Sequence, residues 1–134
     1  MANRTLISQT TIAAAATVIG DTVRIGNAKA LSVESIFLYG AGGTTTRVFV
    51  QTTFDGTTWF DIMNHDFTTS AATKISSVTS FIAPASQAFA PGEAALTTNT
   101  IIQGVIGEAI RVKYVSTGTY TGATSIAVYA VFKT

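Results

Sequence analysis

Residues 47–63 have the sequence RVFVQTTFDGTTWFDIM, in which two runs of β-forming residues stand on either side of Asp55-Gly56. An Asp-Gly pair between such runs is one of the strongest short-range signals for a β-hairpin, because hairpin turns need positive φ angles that Gly and Asp tolerate. The stretch therefore predicts a hairpin with Asp55 and Gly56 in its turn and Trp59 in its second strand.

The alternation of side chains along this hairpin predicts which residues share a face. With Asp55 and Gly56 at the centre of the turn, Thr52 pairs with Trp59, and this face carries the more apolar set. We expect it to be the core face, with Trp59 buried. The other face still carries three apolar side chains, Phe49, Phe60 and Ile62. A half-apolar outer face is normally covered, either by another subunit or by a second sheet of the same chain.

The rest of the chain repeats short β-prone runs between turns that contain Gly, Asn or Asp. There are eight or nine such runs in 134 residues and no sustained helical period, which is typical of antiparallel sandwiches and barrels. The sequence predicts an all-β, antiparallel β-sandwich of jelly-roll type as a single domain at residues 13–134. Residues 1–12 are predicted to be an extended N-terminal arm, whose removal would leave the domain folded.

Charged residues make up only 11% of the chain, against about 25% in average soluble domains. The net charge is +1 and the basic residues are scattered, so we expect no nucleic-acid partner. No apolar run approaches the ~20 residues of a membrane-spanning helix, and no secretory signal is recognisable. We therefore expect synthesis in the cytoplasm and no membrane partner. A surface so poor in charge indicates a subunit covered by protein partners, including copies of itself.

Two further segments are expected to contribute to such contacts. The N-terminal arm is Thr-rich and free of glycine, which suits an extended strand. Residues 84–100 include both prolines and show no clear period, and loops of this length are often functional. The predicted interface residues of these segments and of the outer hairpin face are Arg4, Leu6, Ile7, Phe49, Phe60, Ile62, Phe89 and Leu96.

The chain offers few groups for catalysis or metal binding. It has no cysteine and one histidine, His65, beside Asp66. These two could hold a metal only by joining copies on a symmetry axis, and a polar strand end is the favoured interpretation. Asp55 and Asp61 suggest neither a calcium loop nor a catalytic carboxylate pair, since Asp55 has a role in the turn. We predict a protein without catalytic activity, cofactor or metal.

The hairpin also carries a family resemblance. The segment FDGTTWFDI at residues 54–62, within residues 31–63, resembles a segment of small structural proteins in tailed-bacteriophage particles. These are capsid decoration (cement), head-fibre and neck proteins, and the Thr-, Ala- and Gly-rich composition and the closing hairpin at residues 110–132 support the resemblance. It implies an all-β virion protein that binds the outside of a capsid shell, with the major capsid protein or other virion proteins as partners.

A second resemblance concerns the same turn. The sequence of this turn resembles the Asp-box hairpin of sialidases, with one residue missing between Asp and Gly. The matching residue types are those of Thr53, Asp55, Gly56, Thr58 and Trp59. That box is structural and implies no catalysis. A carbohydrate-binding module nevertheless remains an alternative, because four aromatic residues could form a stacking platform. They are Trp59, Tyr114, Tyr120 and Tyr129, of which Tyr120, between glycines, is the best candidate for exposure.

Overall fold

The computed structural model describes residues 4–81 and 92–134, which contain eleven β-strands and no helix that could cross a membrane. Strands such as Ala30–Leu38 and Ser125–Lys133 alternate buried and more exposed residues with period two, as expected of sheets with one face on a core. In chain order the strands are β1 (Thr5–Thr11), β2 (Ala16–Ile19), β3 (Val23–Arg24), β4 (Ala30–Leu38), β5 (Ala41–Gly42), β6 (Thr45–Thr53), β7 (Trp59–Phe67), β8 (Ala72–Thr79), β9 (Ala109–Thr117), β10 (Tyr120–Thr121) and β11 (Ser125–Lys133).

The strands form two antiparallel sheets that face each other. Sheet 1 has the order β1-β11-β4-β8, and sheet 2 has the order β2-β9-β6-β7, with β3 beside β2 on the same edge of β9. A jelly roll has eight strands. Eight strands remain here when β2 and β3 are counted as one interrupted strand and the short β5–β10 pair is left out. When these eight are numbered along the chain, sheet 1 holds the first, eighth, third and sixth strands, side by side in that order. Sheet 2 holds the second, seventh, fourth and fifth. This order is that of a jelly roll, so the predicted antiparallel β-sandwich is confirmed.

A single apolar core lies between the sheets. The inward residues of β4 and β11 supply one side and those of β6, β7 and β9 supply the other. The largest side chains with less than 2% exposure include Phe37, Ile62, Ile110 and Tyr114.

One end of the sandwich is closed by Tyr120, which is 2% exposed. Its N–H donates to the carbonyl of Ala13 at 2.8 Å, and its hydroxyl donates to the carbonyl of Thr68 at 2.8 Å. The ring packs edge-on against Phe37 and Tyr39. Tyr120 therefore ties several end loops together, and it is not the exposed ring that its flanking glycines suggested.

The hairpin turns at Asp55-Gly56, but its loop is longer than the two central residues predicted. Thr53 pairs with Trp59, so residues 54–58 form a five-residue loop. The Asp55 carboxylate produces this loop, because it accepts the backbone N–H groups of Thr57 and Thr58 at 2.8 and 2.7 Å. Gly56 supplies the positive φ of 79° that the turn requires. The one-residue change in pairing moves Trp59 from the predicted core face to the outer face of sheet 2.

A β-bulge changes the faces again further along the hairpin. The register shifts between Val50 and Gln51, so that Ile62 and Met63 both reach the core. Ile62 is 0% exposed, and Phe49, on the outer face, is 1% exposed. The prediction that these two residues form an intersubunit contact is therefore wrong. Phe60 is half-buried, with its ring 5.5 Å from that of Phe54 in the loop.

The described part of the predicted N-terminal arm belongs to the sandwich. Strand β1 pairs with β11 from Thr5 to Thr11, and Ile7 is 8% exposed within the core. A bulge between Leu6 and Ser8 keeps Ile7 inward and Leu6 outward. Ile7 is therefore a core residue and not an interface residue, and the boundary at residue 12 separates no structural unit. The weak alternation of this segment hides its two inward apolar side chains, Ile7 and Ile12.

Candidate interaction surface

The described residues leave the outer face of sheet 1 uncovered, and we call it the open face. Strand register places its members in rows across β1, β11, β4 and β8. Two shallow depressions on it are lined only by residues of these strands and Arg4. Its principal side chains are Leu6, Ser32, Glu34, Ile36, Leu38, Ile75, Ser77, Ala127, Tyr129 and Val131.

The open face exposes apolar side chains across its width. Leu6, Tyr129, Glu34 and Ile75 form one row across the four strands. Leu6 is 45% exposed, Ile75 is 67% exposed, and Leu38 at one end of β4 is 58% exposed. Exposed apolar side chains grouped on one sheet face make that face a candidate contact surface.

The two opposite charges at the centre of the open face neutralise each other. Arg4 Nε donates to Oε1 of Glu34 at 3.0 Å, and Nη2 lies 2.9 Å from the same oxygen in an ion pair. The Arg4 guanidinium also lies over the Tyr129 ring, with its carbon 3.5 Å from the ring centroid. Arg4 and Leu6 are thus the two predicted interface residues that the structure places on this face.

On sheet 2, in contrast, the chain itself covers the outer face over β6 and β7, whereas the edge strand β2 is exposed. Residues 92–104, which we call the cover segment, cross the edge strand β7 and reach β8. Asn64 donates its backbone N–H to Thr100 and accepts the N–H of Asn99 through its side-chain oxygen. Gly104 donates to the carbonyl of Thr79 in β8 at 3.0 Å. This covering explains why Phe49, next to Asn64 in the register, is buried on an outer face.

Asp61 is the main anchor of the cover segment. Its carboxylate is 3% exposed and accepts the backbone N–H groups of Ala94, Ala95 and Leu96 at 2.8–3.0 Å. The Gln51 amide donates to the same carboxylate at 2.9 Å. Through these four hydrogen bonds the Asp61 carboxylate joins the cover segment to β6 and β7.

Charged groups hold the cover segment beside Trp59. Glu93 accepts from Arg111 and Lys113, each at 2.9 Å. The Arg111 guanidinium lies over the Trp59 ring at 4.4 Å from the centroid. Trp59 is 9% exposed, so it is buried as expected, although beneath Arg111 and not in the core between the sheets.

The two other predicted interface residues of the long connection have different outcomes. Leu96 is half-buried and its N–H is bonded to Asp61, so it helps to attach the cover segment. Phe89 lies outside the described residues.

His65 crosslinks the two sheets. Its Nδ1 lies 2.8 Å from the Ser35 hydroxyl of β4, and its Nε2 lies 2.8 Å from the Ser76 hydroxyl of β8. Burial lowers the pKa of His65 to about 4; the Lys74 charge acts in the same direction and the Asp66 charge opposes it. Because both ring nitrogens are engaged in the interior, this side chain is not available to ligate a metal on a symmetry axis.

The candidate carboxylates do not converge. Asp66 points to the outer face, where it accepts from the Thr98 hydroxyl at 2.8 Å and lies 3.5 Å from the Arg47 guanidinium. The Thr57 and Thr58 N–H groups lower the pKa of Asp55 in the turn. Within residues 4–81 and 92–134, no three His, Cys, Asp or Glu side chains are grouped as a metal site would need.

The four aromatic residues considered for sugar stacking do not share a surface. Tyr114 and Tyr120 are 1% and 2% exposed in the core, and Trp59 lies on the outer face of sheet 2. Burial raises the pKa of the Tyr114 hydroxyl to about 12. Tyr129, on the open face, carries Arg4 over its ring. No sugar-stacking platform is formed from these four residues.

Sequence reasoning missed three members of the open face, Leu38, Ile75 and Tyr129, as contact residues. The alternation in residues 31–34, where Ser32 and Glu34 follow Leu31 and Val33, is a signal for an outer face. It does not reveal that four strands far apart in sequence place such residues side by side, which depends on the jelly-roll order.

No protein-family model matches the chain, and no curated protein sequence matches it. Among solved structures, the chain is similar to a chain in the structure of infectious bursal disease virus, Gt strain, with a TM-score of 0.50 and 12% sequence identity. The match covers 98% of this chain and 31% of that one, so this chain spans about a third of the length of its structural neighbour. At this identity the likeness shows a shared β fold alone.

Proposed function

We propose that the chain is a virion structural subunit that decorates and stabilises the head shell of a tailed bacteriophage through non-covalent contacts. The observation that carries the proposal is the contrast between the two sheets. On sheet 2 the chain itself covers the outer face of β6 and β7, whereas sheet 1 exposes Leu6, Leu38 and Ile75 on the open face. Such a face needs a protein partner.

The fold and the composition support the same proposal. Jelly rolls are frequent in viral capsid proteins, although they also occur in lectins and cupins, and the structural neighbour comes from a virus. A charge content of 11% suits a protein that functions within an assembly. The resemblance of residues 54–62 to phage particle proteins supports the narrower assignment to a tailed phage.

The proposed mechanism is stabilisation by mass action. A subunit that binds the assembled shell and not its dissociated parts lowers the free energy of the assembled state, so the shell ruptures at a higher temperature. The chain is poor in charge, so its binding to the shell should change little with salt, because screening acts on exposed charges. A neck, tail or head-fibre position in the particle is the alternative.

The test is re-addition of the purified protein to cognate heads that lack it. Occupancy is measured by co-sedimentation and shell rupture by a thermal melt, at low salt and at 0.5 M salt. We expect saturable occupancy at both salt concentrations and a higher rupture temperature, with no binding to heads of an unrelated phage. Failure to sediment with cognate heads would contradict the proposed function.

A further inference from the structure

We propose that the occupant of the open face is a second copy of this chain, so that two open faces pack sheet against sheet about a twofold axis. The inference rests on the proposed function only in treating this face as a protein contact. It names the partner, and it can be tested without any virus particle.

The size of the open face suits a dimer. A nine-residue strand such as β4 is about 30 Å long, and four strands spaced about 4.8 Å apart span about 19 Å, so one face offers about 600 Å². Two such faces bury about 1,200 Å² together, which is the lower end of the range for specific interfaces. We therefore expect a dimer that forms at micromolar concentration and dissociates on dilution.

The charge of the face suits an identical partner. A twofold contact places each side chain near its own copy, so any net charge would be doubled and would repel. The central charges of the open face, Arg4 and Glu34, already form a pair with each other, and the remaining charge, Lys133, lies at the margin. Two copies can therefore approach without an unpaired charge at the centre.

The side chains also suit sheet-on-sheet packing. Sheets stack about 10 Å apart with interdigitating side chains when their facing rows are apolar or small. The row with Leu6, Tyr129 and Ile75 is flanked by the small or aliphatic residues Ala127 and Ile36 on one side. A second copy presents the same rows, in the manner in which the two sheets of one sandwich already pack.

Sedimentation velocity and light scattering over about 1–200 µM test the proposal. The wild-type chain should change from 13.9 kDa towards twice that mass as concentration rises. Ile75→Lys places a cation beside Glu34, its neighbour in the register, so the monomer should remain folded while dimerisation weakens at least tenfold. Leu38→Lys should weaken it as well.

A matched control comes from the hairpin loop. Phe54 is 59% exposed, nearly the same as Leu38 at 58%, but it lies away from the open face. Phe54→Lys should dimerise like the wild type. A wild-type chain that stays monomeric at 200 µM, or a dimer that both open-face variants leave intact, would overturn the inference.

The head-binding assay separates this inference from the proposed function. A chain that is monomeric at all concentrations but sediments with cognate heads overturns the dimer and leaves the virion role in place. A chain that dimerises through the open face but ignores the heads supports the dimer and contradicts the virion role.

Discussion

At the scale of single residues, polar side chains on the hairpin decide how the long connection is placed. Asp61 attaches the cover segment through three backbone N–H groups that lie more than thirty residues away in sequence. A residue type and its neighbours in sequence give no sign of such partners. The sequence could therefore identify Asp61 as a lone carboxylate but not predict what it binds.

Asp61→Ala should loosen the cover segment. The change leaves three partly buried N–H groups without an acceptor. Each unsatisfied group costs about 1–3 kcal/mol of free energy, so these amides should open locally. Hydrogen exchange should show faster exchange at residues 94–96, with β6 still protected. Asp55→Ala, in the same hairpin but bonded only within the turn, is the control. Unchanged protection at residues 94–96 would show that other contacts hold the segment.

His65 should make the fold sensitive to acid. Its pKa is about 4 in the folded chain and about 6.5 when unfolded, so only the unfolded chain binds a proton between these values. The free energy of unfolding should therefore fall as pH falls through this window, by about 2 kcal/mol between neutral pH and pH 5. Denaturant titrations of the wild type and His65→Gln measure this slope. An equally steep slope in the variant would exclude His65 as its source.

At the scale of elements, period two in the sequence predicts most strands, because alternation directly reflects which side faces the core. The same period predicts the wrong face where a loop or strand contains one residue more or fewer than expected. The Asp55 carboxylate extends the hairpin loop to five residues, which turns Trp59 outward and Ile62 inward, and the bulge at Val50/Gln51 returns Met63 to the inward side. Either event moves the following side chains to the opposite face, which is why Trp59 and Ile62 exchange their predicted environments.

A pair of neighbouring substitutions tests whether β1 belongs to the sandwich. Ile7 is 8% exposed in the core, whereas Leu6 is 45% exposed on the open face. Ile7→Ala should cost at least about 2 kcal/mol of unfolding free energy, as other buried Ile-to-Ala changes do. Leu6→Ala should cost less than about 1 kcal/mol in dilute protein, because its side chain is already half in water. If both substitutions lowered the unfolding free energy equally little, Ile7 would not be a core residue and residues 1–12 would form an extended arm instead.

At the scale of the whole molecule, the β-sandwich follows from strand count and turn spacing, but the interaction surface does not. Leu6, Leu38, Ile75 and Tyr129 come from four strands that only the jelly-roll order brings together. The low charge content predicted a covered surface without locating it. We propose that it is the outer face of sheet 1, because on sheet 2 the chain itself covers the outer face of β6 and β7.

The central claim, a virion structural role, is tested most directly by electron cryo-microscopy of the purified particle. The claim predicts regularly placed copies of this jelly roll on the outside of the head shell, in contact with the major capsid protein and in pairs that share their open faces. Particles that contain no density and no peptide of this chain, although the protein is made during infection, would contradict the claim.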